Sequence, residues 1–337
     1  MKRLNGPSVR WLLQSTDPSV RYFTMTELLD MPEDSLEAKG ARKLIPTGAR
    51  VQALLAGQRD DGGFGVHPYQ KWTGAHWRLV SLVELGITGN NRQAVRATEL
   101  VLGWLLGEPH LKKIPRKNGL YRRCASQEGN ALAVCSRLGM ARDPRVMRLA
   151  ESLVEWQWPD GGWNCDRRDD AWHSSFNESL STLWGLTEFH RAGGDSGSLA
   201  AAEKASEFFL KHRIFRSCRT EEVRLPETFH SSIYRAVRPW TSFHYPLYWH
   251  YDILQALLVL SRAGKLYDSR ARDALNLIET KRGQDGLWRP ELFYWALKRK
   301  RAKVTASGLV VVDWGRKGPN EFITLNALRV LKAAGRF

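Results

Sequence analysis

The hydrophobic pattern of the chain repeats itself. Five apolar stretches with helical periodicity each close on a small residue or leucine followed by glycine: Leu85-Gly86, Leu138-Gly139, Ala192-Gly193, Ala263-Gly264 and Ala334-Gly335. The glycines lie 53, 54, 71 and 71 residues apart. Glycine just past a helix takes the left-handed backbone of a C-cap at little steric cost, so these dipeptides predict five helix ends. Polar starts follow: Asp143-Pro144 puts a capping carboxylate before a proline at the first helical position, and Asp17-Pro18 and Asp268-Ser269 offer similar starts. The pattern predicts six apolar helices near 18–30, 72–86, 126–139, 177–192, 247–263 and 320–334. Amphipathic helices at 41–57, 91–107, 144–157, 198–213 and 268–282 alternate with them, and 7–14 supplies a sixth. Such periodicity reads as stacked helix pairs.

A second repeat sits inside the first. Residues 58–64 (QRDDGGF) and 157–163 (QWPDGGW) share Q-x-x-D-G-G-aromatic, and Asp285-Gly286-Leu287-Trp288 and Asn118-Gly119-Leu120-Tyr121 are weaker copies. Each lies where an amphipathic helix has ended and the chain turns back towards an apolar one. Asp-Gly or Asn-Gly makes the turn, the aromatic packs beneath it, and the glutamine can bond backbone groups freed at the helix end. The two complete copies resemble the QW-type repeats of the terpenoid cyclase and protein prenyltransferase superfamily, which includes squalene–hopene cyclases and prenyltransferase β subunits. The resemblance implies an all-α fold, an (α/α)6 toroid of six inner helices around a central cavity and six outer ones, as one domain over 1–337. Long connections at 214–245 and 289–319 interrupt the repeat, and 303–314 reads as a short β-hairpin within the second.

Composition bounds the classes open to such a chain. The 337 residues carry 51 Lys+Arg against 35 Asp+Glu, a formal charge of +16, with 14 Trp. Hydrophobic residues at 43% are too many for a disordered chain. No apolar run reaches the ~18 residues of a transmembrane helix. No apolar segment follows Lys2-Arg3 to make a secretory signal, and Cys124, Cys135, Cys165 and Cys218 show no C-x-x-C spacing. The expectation is a cytoplasmic protein, with peripheral membrane contact through 291–303, where Phe293, Tyr294 and Trp295 precede a run of cations. Arg213, Arg216, Arg219 and Arg224 are candidates to grip an anion such as a diphosphate at an inner-helix mouth. The oligomeric state is left open.

Two segments before inner helices concentrate reactive side chains. Residues 164–178 hold four carboxylates with Arg167, Arg168 and His173, and 240–252 hold His244, His250, Asp252 and six aromatics. The resemblance implies proton-initiated cyclisation of an isoprenoid or similar apolar substrate. A carboxylic acid kept protonated by an apolar pocket starts such a reaction, and aromatic faces stabilise the cation. Asp169 or Asp170 is the expected donor, tuned by His173, His250 and Asp252, with Trp72, Trp172, Phe176, Trp249 and Tyr251 as lining. The family's acid motif is D-x-D-D, whereas this chain reads Asp166-Arg-Arg-Asp169-Asp170, and it is about half the length of a two-domain triterpene cyclase. No cofactor is required by this chemistry. A metal-dependent, prenyltransferase-like enzyme is one alternative, with His173, Glu178, His250 and Asp252 as an N/O ligand set. A non-catalytic toroid that binds nucleic acid or a protein partner through its basic face is the other.

Overall fold

The computed structural model describes residues 6–216, 240–297 and 309–337. These residues are mainly helical. The apolar helices are α2 (Pro18–Phe23, continued by a π-helical turn Thr24–Leu28), α5 (Ala75–Glu84), α8 (Ser126–Arg137), α10 (Phe176–Arg191), α12 (Ile253–Arg262) and α14 (Glu321–Ala333). The amphipathic helices are α1 (Pro7–Leu13), α3 (Leu36–Leu44) with α4 (Ala49–Leu55), α6 (Arg92–Leu105), α9 (Pro144–Glu155), α11 (Ser196–Lys211) and α13 (Arg272–Thr280). A single turn, α7 (Glu108–Leu111), follows α6. All five expected C-cap glycines have φ between 68° and 92°. Asp17 and Asp143 cap α2 and α9 by accepting from the backbone N–H groups of Ser19 and Arg145. No described helix is long and apolar enough to cross a membrane.

Three segments depart from the expected helices: the 247–263 helix begins only at Ile253, after its Asp252 cap, and two others change for local reasons. The 41–57 helix is split at a 3-10 turn, Ile45–Thr47, because Pro46 has no N–H to continue the ladder. The 18–30 helix widens into its π turn where Thr24 and Thr26 donate their hydroxyls back to the carbonyls of Val20 and Tyr22. The first half of the expected hairpin, 303–308, lies outside the described residues. Leu309–Val310 (β4) pairs in parallel with Ala296–Leu297 (β3). A second ladder, Arg116–Lys117 (β1) with Leu120–Tyr121 (β2), forms about the Asn118-Gly119 turn.

The apolar helices pack on one another. α8 and α10 make the closest contact, through glycine: a Cβ on Gly185 would lie 2.3 Å from the carbonyl oxygen of Gly129. α10 packs on α12, α12 on α14, and α14 on α1, α2 and the π turn, which brings the first and last described helices together. A continuous apolar core draws on all of these helices.

The turn repeats stitch neighbouring amphipathic helices. Gln58 Nε2 donates to the carbonyls of Gly62, at 3.0 Å, and of Gln93 on α6, at 2.9 Å. Gln157 does the same to Gly161 and to Ala201 on α11, both at 2.8 Å. In the weaker copy Arg282 stands at the glutamine position: its Nε donates to the Gly286 carbonyl at 3.1 Å, and its Nη2 reaches Ser8 Oγ on α1 at 3.0 Å. Gly161, at φ 97°, must be glycine twice over, because a Cβ there would also sit 2.4 Å from the Lys204 carbonyl oxygen. Gln157→Ala removes two bonds from part-buried carbonyls and is expected to cost about 1–3 kcal/mol, read as a lowered urea midpoint at unchanged m-value.

Candidate functional site

The structure separates the expected site residues into three groups. Asp169, Asp170, Trp172 and His173 are exposed. Asp169 forms an ion pair with Lys117 at 2.8 Å, and that partner lowers its pKa, so it lacks the apolar setting a proton donor of this kind needs. Trp172 is 58% exposed, against the expectation that it lines a cavity. Phe176 is buried in an aromatic cluster, stacked on Trp240 at 4.4 Å and edge-on to Tyr251. It is core. Trp72, Trp249, His250, Tyr251 and Asp252 form the third group and converge near the start of α12.

These residues surround a recess that runs along α12 between α5, α8 and α10. Trp249, His250 and Tyr251 line it from the segment before α12, Gln255 and Val259 from α12, and Glu84, Asn130 and Trp184 from the other helices. Trp72 is buried at φ 62° and stacks on Tyr248, which also lines the recess, with ring centroids 4.3 Å apart. Tyr294 stacks on His250 at 3.5 Å. The free volume is about 30 Å³, room for water but not for a longer ligand as the side chains stand.

Glu84 and His250 both face this space. His250 is held neutral, its pKa well below the ordinary value because burial disfavours the imidazolium, with His244 and Lys71 adding to the effect. Glu84 at the end of α5 is half-buried, and desolvation raises its pKa against the opposing charges of Arg262, Arg137 and Arg329. Glu84, Arg137 and Arg262 each stand two residues before a C-cap glycine, so three helix ends deliver charge to one place. Arg262 pairs with Glu188 at 3.4 Å and Arg329 with Glu27 at 2.5 Å.

Asp252 is fully buried behind the recess. Its Oδ1 caps α12 by accepting from Gln255 N–H at 2.8 Å, while Oδ2 accepts from His244 N–H at 3.2 Å and lies 3.3 Å from His244 Nδ1. Burial raises its pKa to about 7 despite the backbone donors. The N/O ligand set does not assemble: His173 is exposed, and Asp252 is engaged with His244.

Glu178 instead meets two thiols. It sits in the first turn of α10, where Ser175-x-x-Glu178 has capping-box spacing. Yet its carboxylate turns to the neighbouring elements, accepting from Ser126 N–H at the start of α8 and from Trp249 Nε1, both at 3.0 Å. Cys165 Sγ lies 3.8 Å from Glu178 Oε1, and Cys124 completes the group. Burial raises the Glu178 pKa, and a hydrogen bond with Cys124 raises that of Cys165.

The expected anion and membrane sites fall only partly within the described residues. Arg213 and Arg216 lie 3.7 and 3.1 Å from Asp273, which gives each a carboxylate neighbour. Arg219 and Arg224 lie outside the described residues, as do 298–303. In the described part of 291–303, Trp295 is buried, donating to the Tyr245 carbonyl, and Tyr294 covers His250, so these aromatics pack inward. No family model matches the chain, and no curated protein matches it significantly.

Proposed function

We propose that the six helix pairs close into an (α/α)6 toroid of the terpenoid-cyclase and prenyltransferase type. In this reading the chain is an enzyme that moves protons on an isoprenoid-class substrate held in the recess. Ring closure is supported by the third turn repeat. Gln58 and Gln157 each reach the next amphipathic helix, and Arg282, the last in the series, reaches back to α1. The packing of α14 on α1 and α2 supports it from the apolar side.

The observation that carries the chemistry is the meeting of aromatic faces with Glu84 and His250 in one recess. Glu84, whose pKa is raised, takes the donor role expected of Asp169 or Asp170. Its proton goes to a substrate double bond, leaving a carbocation. Neutral His250 takes a proton from a neighbouring carbon to restore a double bond. Trp184 and Trp249 supply π-faces, each worth about 0.5–2 kcal/mol to a nearby cation. A chain ligand exceeds the free volume of about 30 Å³, so entry displaces the Tyr248 or Trp249 side chain.

Product analysis by gas chromatography after incubation with C10, C15 and C30 isoprenoids tests this directly. Glu84→Gln keeps the shape of the recess and is expected to lower turnover by about 10²–10⁴. Turnover by Glu84→Gln at the wild-type rate, or no conversion of any isoprenoid by the wild type, would defeat the proposal.

A further inference from the structure

We propose that Cys124, Cys165 and Glu178 form a zinc site, with Ser126 and Trp249 orienting the carboxylate. The inference does not depend on the isoprenoid reading. The two sulfur atoms and a Glu178 oxygen all lie within 4.8 Å of one another, and Cys165 Sγ is 3.8 Å from Glu178 Oε1. A tetrahedral zinc with Zn–S of about 2.3 Å and Zn–O of about 2.0–2.2 Å sets neighbouring ligand atoms roughly 3.5–3.8 Å apart. Seating the ion therefore needs a contraction of at most about 1.3 Å, on the order of a side-chain adjustment.

Three independent segments bring the ligands together. Cys124 lies just before α8, Glu178 is in the first turn of α10, and Cys165 follows the 157–163 turn repeat. The close approach of α8 and α10 at Gly129 and Gly185 fixes the first two relative to each other. The third is fixed by Trp163, whose Nε1 donates to the Leu153 carbonyl at 2.9 Å. Glu178 is 1% exposed, and its two oxygens already receive one N–H each, from Ser126 and Trp249. That is the arrangement by which outer residues aim a metal-binding carboxylate.

The donor set selects the ion. Two thiolates favour zinc over magnesium or calcium, and a buried carboxylate completes a mixed S/O set that zinc accepts. Three protein ligands leave a fourth position, as in zinc sites that bind water or substrate. Tyr69 is near enough for the charges of Glu178, Cys124 and Cys165 to act on its phenol. Trp249 joins the two regions, since it lines the recess and bonds Glu178.

The test uses the full chain, purified under a phosphine reductant, stripped with a chelator and titrated with zinc chloride. One zinc per chain is expected by plasma mass spectrometry after gel filtration. X-ray absorption at the zinc edge is expected to show two sulfur scatterers at about 2.3 Å and lighter atoms at about 2.0–2.1 Å. Cys124→Ser and Cys165→Ser are expected to weaken zinc binding by more than tenfold. Trp249→Phe, which removes only the orienting donor, is expected to weaken it by about 10–100-fold. Cys135→Ser, a buried thiol outside the group, is expected to bind as the wild type does. The absorption spectrum needs no variant, so a misfolded mutant does not blunt the test. Failure to retain zinc, a zinc shell without sulfur, unchanged affinity in Cys165→Ser, or a Cys124–Cys165 disulfide trapped by alkylation at lysis would each overturn the proposal.

Discussion

Trp163→Ala is expected to cost about 3–5 kcal/mol of folding stability. The side chain is 1% exposed and closes the 157–163 turn from beneath. Its indole N–H donates to the Leu153 carbonyl of α9 at 2.9 Å, and its backbone N–H donates to Ser179 Oγ of α10 at 3.0 Å. One residue thus ties an amphipathic helix to the apolar helix that follows it. Trp288 repeats the arrangement, with its indole on the Ile278 carbonyl at 2.8 Å and its backbone N–H on Thr324 Oγ1 at 3.1 Å. Removing either indole leaves a cavity and frees a buried carbonyl, so Trp288→Ala is expected to fall in the same range of about 3–5 kcal/mol. Urea unfolding followed by circular dichroism measures both, with exposed Trp172→Ala expected within about 0.5 kcal/mol of wild type. Equal costs for Trp163→Ala and Trp172→Ala would contradict this role for the buried indoles.

Asp252 makes the second large effect, and it is a pH effect. Its carboxyl is fully buried, and its pKa lies at about 7 in the folded chain, against an ordinary value of 3.8. The native state therefore holds the proton where the unfolded state has lost it. Stability from this group is full below about pH 4, falls as pH rises to about 7, and is level above that. The gap of roughly three pH units, at about 1.4 kcal/mol each, amounts to about 4 kcal/mol. Asp252→Asn keeps an acceptor for the Gln255 cap and removes the ionisation. Other charged or ionisable groups face Asp252: His244 touches it, and Glu291, which pairs with Lys281 at 2.6 Å, acts on it through space. The informative quantity is therefore the difference between variant and wild type. The variant is expected to gain on wild type by several kcal/mol between about pH 4 and about pH 8, seen as diverging urea midpoints. Parallel midpoints over that range would show that the buried carboxyl does not change protonation on folding.

The helical frame was legible because its signals are local. A glycine after an apolar run and an aspartate before a proline act within one turn, and the helices end at the expected glycines. Pro46 marks the one split that the 41–57 pattern concealed, since apolar periodicity continues across it. The stitching role of the turn repeat was partly legible. The bonds from Gln58 and Gln157 to their own turns follow from spacing, but the substitution of Arg282 emerges only when its side chain is seen making the same bond.

The chemistry was less legible, because it depends on burial and on contacts across the chain. The charge density at 166–170 is that of a solvated loop: Arg168 pairs with Asp166 at 2.6 Å and Lys117 with Asp169. Residue types there are the same as in a buried site, and nothing in their spacing separates the two. Cys124 and Cys165 carry no local ligand spacing, and come together through two separate packings: α8 meets α10 at glycine, and Trp163 fixes the turn that precedes Cys165. Glu84, Arg137 and Arg262 did carry a signal, a shared position two residues before the C-cap glycine, visible once the repeats are laid over one another.

The most direct measurement is a crystal structure of the full chain grown with a C15 isoprenoid alcohol. The expected result is continuous ligand density between Glu84 and His250, with Tyr248 or Trp249 displaced from the position described above. An unchanged recess still closed by Tyr248 and Trp249, with the alcohol bound elsewhere or absent, would contradict a substrate site at the centre of the fold.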